Sequence, residues 1–428
     1  MPILSFKNSL LILLFVLLIS ACKKTEPNLT PPSYESFSSF QLVWRTALSD
    51  SSNHSDKISS INLLMNSDGD ILTSDKYNHG TVSEAYKLYD GTTGKLKWSW
   101  NEHLKSLEYL FQFQPLKVND ALVFCGHNTM YSIDLISGKT IWNQLTDTMY
   151  GGEELFKDED GYIYYEYPTQ AGAFTTFHVV RTYYNQLNWE SVYFITDSTK
   201  IRGYKKAIAF SKNSLGEKLL LYSRDIEYRY NYTKNRICCY NLTTKNTEWI
   251  KEYSDRMCDR MPPSTQFTNE GRLFKVWSTT DGSEDYFLAA ISIQDGSIVW
   301  EKKLPNWCYC FPYKDKIVCD GAYQNPIQCF NQSTGENAWK VIFSDYYINL
   351  MNQIQDNPVV FKNYLFSTIR SDLLVINLDN GTNYIYKDVA LPGWSIDVAV
   401  SVNETKRLIY VKDAFNLNCF KLPKEIIF

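Results

Sequence analysis

The residues of this chain that could take part in covalent or metal chemistry are mainly its ten cysteines. One of them, Cys22, directly follows the small residues Ser20 and Ala21 and an unbroken apolar run over residues 10–19. A run of this length is too short to cross a hydrocarbon core, which takes about 20 helical residues. With Lys7 ahead of it, the run is typical of a secretory signal peptide, and we predict one over residues 1–21.

The segment Leu18-Ile19-Ser20-Ala21-Cys22 resembles the lipobox of bacterial lipoproteins. That resemblance implies that Cys22 becomes the lipidated first residue and holds the chain at a membrane without a transmembrane helix. Residues 22–39 carry three prolines and no hydrophobic period, so we expect a lipidated flexible tether there. Lys23 after the cysteine resembles lipoproteins sorted to the outer membrane, and leaves a periplasmic or a surface-exposed position open.

The other nine cysteines indicate less. Most lie in apolar runs, where a free cysteine behaves as a small buried hydrophobe, so we expect structural thiols with at most one or two disulfides. Cys308-x-Cys310, with Cys319 and Cys329, could be imagined as a four-thiolate metal site. The Cys-x-x-Cys pairs usual in such sites are missing, so we predict no metal, and we rank a cross-strand disulfide between Cys319 and Cys329 above a metal site there.

Catalytic patterns are absent from the sequence. There is no Gly-x-Ser-x-Gly turn, no phosphate-binding Gly-Lys-(Ser/Thr) and no zinc-binding His-Glu-x-x-His. The five histidines share no spacing or local pattern; they are His54, His79, His103, His127 and His178. We therefore predict that the protein is not an enzyme, that it has no catalytic residues and that it needs no cofactor.

One sequence unit recurs along the chain and predicts the elements that carry these residues. Its clearest copies, Leu88–Trp98 and Ile133–Trp142, consist of a short strand, a turn rich in Asp, Thr and Gly, and a second strand with an aromatic residue. Such turns between alternating strands favour tight hairpins. The aromatic ladder has eight positions, at which we expect large side chains that wedge between neighbouring sheets: Trp44, Trp98, Trp142, Trp189, Trp249, Trp300, Trp339 and Tyr386.

A second landmark, a polar or glycine turn that opens an apolar strand, also occurs eight times and alternates with the first. A repeat of roughly 50 residues with about four short strands is typical of a β-propeller blade. The chain begins with a lone last-strand motif at Trp44, and its final repeat lacks one. We therefore predict an all-β protein, a single eight-bladed propeller over residues 40–428, closed by its N-terminal strand.

The motif Asp-x-x-(Thr/Ser)-Gly-Lys-x-x-Trp, at Asp90–Trp98 and Asp134–Trp142, resembles the repeat of the pyrroloquinoline-quinone-type propellers. Together with the lipobox and eight blades, the chain is similar to BamB-like lipoproteins, which are scaffolds in outer-membrane β-barrel assembly. The resemblance implies a non-catalytic, monomeric propeller that binds a cell-envelope protein complex. Quinoprotein dehydrogenases share the repeat and often place a disulfide between adjacent cysteines over the cofactor. Cys238-Cys239 lies in a predicted strand, where neighbouring side chains face opposite ways, so we expect no quinone.

Charge and aromatic content limit the partners. The formal net charge of −4 argues against a nucleic-acid partner, which would need a basic face. The 31 tyrosines keep one alternative open, a propeller that binds a glycan or another ligand. Its stacking residues would lie in the tyrosine-rich segments Tyr183-Tyr184, Tyr228 to Tyr232 and Tyr346-Tyr347.

Overall fold

The described part of the chain is built from β-strands and the turns between them. The computed structural model describes residues 33–35, 41–48, 63–74, 86–100, 115–125, 129–145, 155–171, 174–197, 206–228, 232–258, 266–279, 285–305, 308, 310–319, 326–341, 359–369, 372–387, 389, 399–404, 406–412 and 416–427. Within these ranges, no helix is long and apolar enough to cross a membrane.

Eight antiparallel sheets follow one another along the chain and form the eight blades of a propeller, as predicted. Blades 1 to 4 contain β3 (Leu64–Met65), β4 (Ile71–Ser74), β5 (Tyr86–Tyr89), β6 (Leu96–Trp100); β7 (Leu116–Val118), β8 (Ala121–Cys125), β9 (Thr129–Asp134), β10 (Thr140–Leu145); β11 (Phe156–Lys157), β12 (Tyr162–Ala171), β13 (Phe174–Tyr183), β14 (Gln186–Asp197); and β15 (Lys206–Lys212), β16 (Lys218–Tyr228), β17 (Tyr232–Asn241), β18 (Asn246–Tyr253).

Blades 5 to 7 continue the same order, and blade 8 combines both ends of the chain. Their strands are β19 (Arg256–Cys258), β20 (Gln266–Asn269), β21 (Arg272–Thr279), β22 (Tyr286–Ser292), β23 (Ile298–Leu304); β24 (Cys310–Tyr313), β25 (Lys316–Cys319), β26 (Ile327–Asn331), β27 (Asn337–Val341); β28 (Val359–Phe361), β29 (Tyr364–Ile369), β30 (Asp372–Asn377), β31 (Asn383–Tyr386); and β32 (Ala399–Asn403), β33 (Leu408–Lys412), β34 (Asn416–Lys421), β2 (Leu42–Ala47).

The N-terminal strand closes the ring, as predicted. Strand β2 pairs antiparallel with β34, so that Trp44 lies opposite Cys419 and Ala47 opposite Asn416. Arg45 donates a hydrogen bond from Nε to Asn418 Oδ1 over 2.6 Å and thereby joins the two ends of the chain. Closure leaves β34 without a free edge, which would otherwise be open to pairing with another chain.

The hydrophobic core is divided among eight clusters, one in each seam between neighbouring blades. The cluster between blades 8 and 1, for example, includes Leu408 and Tyr410 from one side and Ile71 and Tyr89 from the other. Most inner strands lie between two seams, so alternate side chains enter different clusters: Ile71 faces blade 8, and Leu72 faces blade 2. Strands buried on both faces read as continuous apolar runs.

The repeated turn has a polar cause. Asp90 Oδ1 accepts hydrogen bonds from Thr92 N, Thr93 N and Thr93 Oγ1, and Gly94 N donates to Asp90 O over 2.8 Å. Gly94 adopts a φ of 70°, a left-handed conformation that costs glycine little. The Asp and Gly of the motif are therefore both required by the turn between the third and fourth strands.

Antiparallel order gives the ring two distinct faces. The turns between the first and second strands and between the third and fourth strands of each blade lie on one face, here termed the turn face. The connections between the second and third strands, and those between blades, lie on the other, the loop face. Within the segment predicted as a tether, Ser33–Glu35 forms β1, which pairs in parallel with β31 at the outer edge of blade 7.

Candidate functional site

Five of the eight predicted aromatic residues pack on a glycine of the next blade. The indole of Trp44 covers Gly94, and that of Trp98 covers Gly138; a Cβ on either glycine would lie 2.6 Å from the ring. The same contact recurs at Trp249 with Gly296, Trp300 with Gly335 and Trp339 with Gly381. Each aromatic residue thus joins the outer strand of one blade to the turn of the next.

A hydrogen bond from the indole accompanies this packing at several seams. The Nε1 atoms of Trp249, Trp300 and Trp339 donate to the carbonyls of Ile293, Gln332 and Leu378, each three residues before the glycine, over 2.7–3.1 Å. At Trp44 the corresponding carbonyl, that of Gly91, instead accepts from Tyr410 OH over 2.9 Å. The Nε1 of Trp44 has no partner among the described residues.

Trp142, Trp189 and Tyr386 depart from this arrangement. Trp142 Nε1 donates to Tyr184 O of blade 3 over 2.8 Å, at a turn that has no glycine. Trp189 packs in the seam between blades 2 and 3 and donates to Gln144, so it faces the preceding blade. Tyr386 is fully buried between blades 7 and 8.

The structure gives a physical reason for the position of Trp189. The turn of blade 4 that it would have to cover has Lys245, with a φ of 59°, where the turns of blades 1, 2, 5, 6 and 7 have glycine. A Cβ at this position would collide with an indole placed as in the other seams. The seam between blades 3 and 4 is filled by Tyr164, Tyr193 and Tyr222 instead.

Buried polar groups in this seam bind one another. Tyr222 OH donates to the buried carboxylate of Glu166, and Tyr164 OH donates to Asp158 Oδ2 over 3.0 Å. Burial raises the pKa of Tyr164 above its usual range, so that its hydroxyl stays protonated at neutral pH. Because a protonated tyrosine beside a carboxylate satisfies both groups, we interpret this network as structural.

Five strands of blades 3 and 4 are longer than any described strand of the other blades. Strands β12, β13, β14, β16 and β17 have 10 to 12 residues, whereas β8, β9 and β10 of blade 2 have five or six. Because the turns fix their ends at the turn face, the extra residues extend from the loop face. These five strands are here termed the projecting strands.

The outermost projecting strand, β14, exposes apolar side chains. Phe194 is 64% exposed and Leu187 44% exposed, and β14 is the last strand of its sheet in the described part of the chain. Phe194 lies opposite His178 on β13, with ring centroids 6.4 Å apart. An exposed aromatic residue on an open strand edge can bind a protein partner through both side chain and backbone. This surface was not predicted from the sequence, although the wider spacing from Trp142 to Trp249 was a signal for it.

The adjacent cysteines do not fit a quinone site. Cys238 faces the seam between blades 3 and 4, where Tyr193 OH lies 3.1 Å from its Sγ, whereas Cys239 faces the seam between blades 4 and 5. Both are free and buried. Two thiols that point into different seams cannot form the disulfide that quinoprotein dehydrogenases place over the cofactor. Among the described residues, the only cluster that could bind a metal consists of cysteines, without carboxylates.

Three cysteines of blade 6 come together, and they correct one prediction. Cys310 and Cys319 lie directly opposite each other on β24 and β25 and form a disulfide. The predicted pairing of Cys319 with Cys329 is wrong, because Cys329 lies opposite Val318 and faces the seam with blade 7. Cys308 Sγ lies 3.7 Å from Cys310 Sγ, in the seam between blades 5 and 6.

Several predicted residues lie outside the described residues. They include Cys22 and every histidine except His178. Of the tyrosines considered for glycan stacking, Tyr183 and Tyr184 are partly buried and contact each other, with ring centroids 4.8 Å apart. Part of each ring is therefore covered by the other.

Comparison with known proteins identifies the fold. No family model and no curated protein sequence matches the chain. Among solved structures, Saccharomyces cerevisiae Sqt1 is similar at 9% sequence identity with a TM-score of 0.55, over 90% of this chain and 100% of that one. A europium-containing methanol dehydrogenase is similar at 10% identity with a TM-score of 0.54, over 87% of this chain and 84% of that one. At these identities the similarity shows the propeller fold alone.

Proposed function

We propose that this chain is a non-catalytic, membrane-anchored propeller lipoprotein that binds protein partners, in the manner of the BamB-like scaffolds of outer-membrane protein assembly. The observation that carries the proposal is the set of projecting strands, whose outermost member, β14, exposes Phe194 and is the last strand of its sheet in the described part of the chain. Anchoring rests on the lipobox at Cys22, and a cell-envelope complex is the partner that such an anchor makes available.

The ring supplies what a scaffold needs. Every seam is filled by a hydrophobic cluster, and closure by β2 removes the free edge of β34. A rigid ring of this kind holds one surface at a fixed place, so that a partner binds with little ordering of the chain. The edge of β14 is long enough to bind an extended segment of a partner by strand addition. Strand β1, added in parallel to blade 7, shows that the outer edge of a blade of this protein can take a further strand.

A photo-crosslinking residue at Phe194 tests the surface in cells that produce the full chain. We expect an adduct with a defined cell-envelope protein from this position. The matched control is Leu215, which is 80% exposed in the turn face of blade 4 and lies outside the projecting strands. Equal adducts from both positions, or none from Phe194, would contradict the proposal.

A substitution separates binding from folding. Phe194→Asp should abolish co-purification of that envelope protein and leave the melting temperature unchanged, because the side chain is mostly exposed. Leu215→Asp should change neither. If Phe194→Asp retains the partner in full, the projecting strands are not the binding surface.

The enzymatic alternative has its own test. Purified protein supplied with pyrroloquinoline quinone and calcium should reduce no dye with alcohols or aldoses, because Cys238 and Cys239 face different seams. Quinone-dependent dye reduction that is lost in a Cys238→Ser, Cys239→Ser variant would refute the scaffold and establish a dehydrogenase.

A further inference from the structure

Cys308, Cys310 and Cys319 form a compact group of sulfur atoms, here termed the three-cysteine cluster. Their Sγ atoms all lie within 4.8 Å of one another, and the three residues are at most 5% exposed. Cys310 and Cys319 lie on two paired strands, and Cys308 lies two residues before the first of these strands. Neither the fold nor the proposed scaffold function requires three thiols at one point.

We propose that the three-cysteine cluster, when its disulfide is reduced, binds one soft metal ion through three thiolates. Cys308 and Cys310 are two residues apart, and Cys319 lies opposite Cys310, so the three side chains share the face of blade 6 that meets blade 5.

The distances fit such an ion. A Zn–S bond is about 2.3 Å, and in tetrahedral geometry this separates two sulfur ligands by about 3.8 Å. The Sγ atoms of Cys308 and Cys310 are 3.7 Å apart. Opening the disulfide lets the Sγ atoms of Cys310 and Cys319 separate to a similar contact distance while their Cα atoms stay 4.3 Å apart.

The surroundings favour a soft ion over a hard one. The cluster lies among apolar side chains that include Phe274, Leu304, Ile317 and Phe330, and thiolate ligands select zinc, cadmium or copper(I) over calcium or magnesium. Within the described residues no carboxylate or imidazole joins the three sulfurs. The described residues therefore supply three ligands, and a tetrahedral ion would have one position left for a further ligand.

Oxidation and metal binding exclude each other at this site. Opening the Cys310–Cys319 bond takes two electrons and two protons from an external dithiol, which itself becomes a disulfide. Metal binding then displaces the thiol protons as the three S–metal bonds form. In the disulfide form two of the three sulfur ligands are bonded to each other, and only Cys308 remains.

Metal titration of the purified full chain tests the proposal. The protein is reduced, and the reductant is then removed under anaerobic conditions. The sample is titrated with cadmium, whose thiolate complexes absorb in the ultraviolet, and zinc is then added as a competitor. We expect one ion per chain in wild type, and loss of that binding in Cys308→Ser. The matched control is Cys329→Ser, a buried cysteine of the same blade that faces the other seam and should leave binding unchanged.

A readout in wild type covers the case in which Cys308→Ser does not fold. Bound zinc should slow the re-formation of the Cys310–Cys319 disulfide in air, as mapped by mass spectrometry of the digested chain. The proposal is overturned if reduced wild type binds no ion, if Cys308→Ser binds as wild type does, or if zinc leaves the rate of disulfide formation unchanged.

Discussion

Contacts between an indole ring and a glycine hold most of the seams at the scale of single residues. The ring occupies the space that a Cβ would take, and the turn needs a left-handed backbone at the same position. Both requirements exclude most side chains at this position. The left-handed backbone is required by the turn itself, whereas the space without a Cβ is required by the indole of the neighbouring blade. Two glycines of the propeller allow the two effects on stability to be measured separately.

Gly138 and Gly271 have nearly the same backbone, with φ values of 71° and 72°, but a Cβ at Gly138 would lie 2.6 Å from Trp98, whereas a Cβ at Gly271 meets nothing within 4 Å. Gly271→Ala should therefore lower the free energy of unfolding by about 1–2 kcal/mol, the cost of a left-handed alanine. Gly138→Ala should cost a further 1–3 kcal/mol or so, because the methyl group displaces the indole.

Urea unfolding followed by tryptophan fluorescence measures both changes. A Gly138→Ala protein no less stable than the Gly271→Ala protein would show that the seam tolerates the extra methyl group and does not depend on close contact.

Buried thiols make stability sensitive to alkaline pH. Burial raises the pKa of Cys239, Cys329 and Cys419 from 9.0 to about 12. Between these values the unfolded chain ionises its thiols and the folded chain does not, so the free energy of unfolding should fall as pH rises. The contribution of these thiols is fully present below pH 9 and lost by about pH 12.

Cys239→Ala tests this, because it removes one of these ionisations. Urea midpoints between pH 8 and pH 11 should decline less steeply for the variant than for wild type. Tyrosines and lysines titrate in both proteins and cancel in the comparison. Parallel curves would mean that Cys239 ionises equally in both states.

Strand β2 is the element on which the closed ring depends. It covers the edge of β34, and Thr46 Oγ1 donates to Gly94 O of blade 1 over 2.7 Å, so one strand connects blade 8 to blade 1. The indole of Trp44, on β2, contacts the ring of Tyr410 in the seam between blades 8 and 1, with ring centroids 6.0 Å apart.

Trp44→Ala should lower the free energy of unfolding by about 3 kcal/mol, as for other large-to-small aromatic changes in partly buried sites. Val43→Ala on the same strand is the control and should change stability little, since Val43 is 43% exposed. Deletion of residues 40–48 should go further and cause self-association through the exposed edge of β34. A Trp44→Ala protein that melts like the Val43→Ala protein would argue against closure as a source of stability.

The blades could be predicted from the sequence because the same local chemistry recurs along the chain: an Asx-type turn, a glycine and an aromatic residue four positions later. Blades 3, 4 and 7 show where this stops. In blade 1, a bulge in the outer strand places Trp98 opposite Leu88. Blade 7 lacks this bulge, and the residue at the position that corresponds to Trp98 is Tyr384, which lies opposite Val375. Tyr386 lies two residues further along on the same face, in the position of Trp100.

Contacts between strands and between blades could not be predicted from the sequence patterns. The direction of Trp189 depends on Lys245 in another blade, and the pairing of Cys319 depends on strand register, which a shift of one residue reverses. In the sequence, the projecting strands are indicated only by the longer spacing between Trp142 and Trp249. This spacing does not show from which face of the propeller the additional residues extend.

For the whole molecule, the resemblance of residues 18–22 to a lipobox predicts Cys22 as the single membrane attachment. Cys22→Ser should leave an uncleaved precursor, and a chain that starts at Ser33 should appear entirely in the soluble fraction. Fractionation of cell extracts with an antibody to the chain measures both. Membrane association of the shortened chain would reveal a second attachment.

The path of the N-terminal segment gives the ring a direction. Strand β1 runs parallel to β31, so Ser33 lies toward the turn face at blade 7, whereas the projecting strands extend from the loop face of blades 3 and 4, halfway around the ring. The eleven residues from Cys22 to Ser33 reach at most ~40 Å when fully extended. If Cys22 is lipidated as we predict, we expect the propeller to act as a spacer: blade 7 would lie nearest the bilayer, and the projecting strands, on the opposite side of the ring, would lie farther from it.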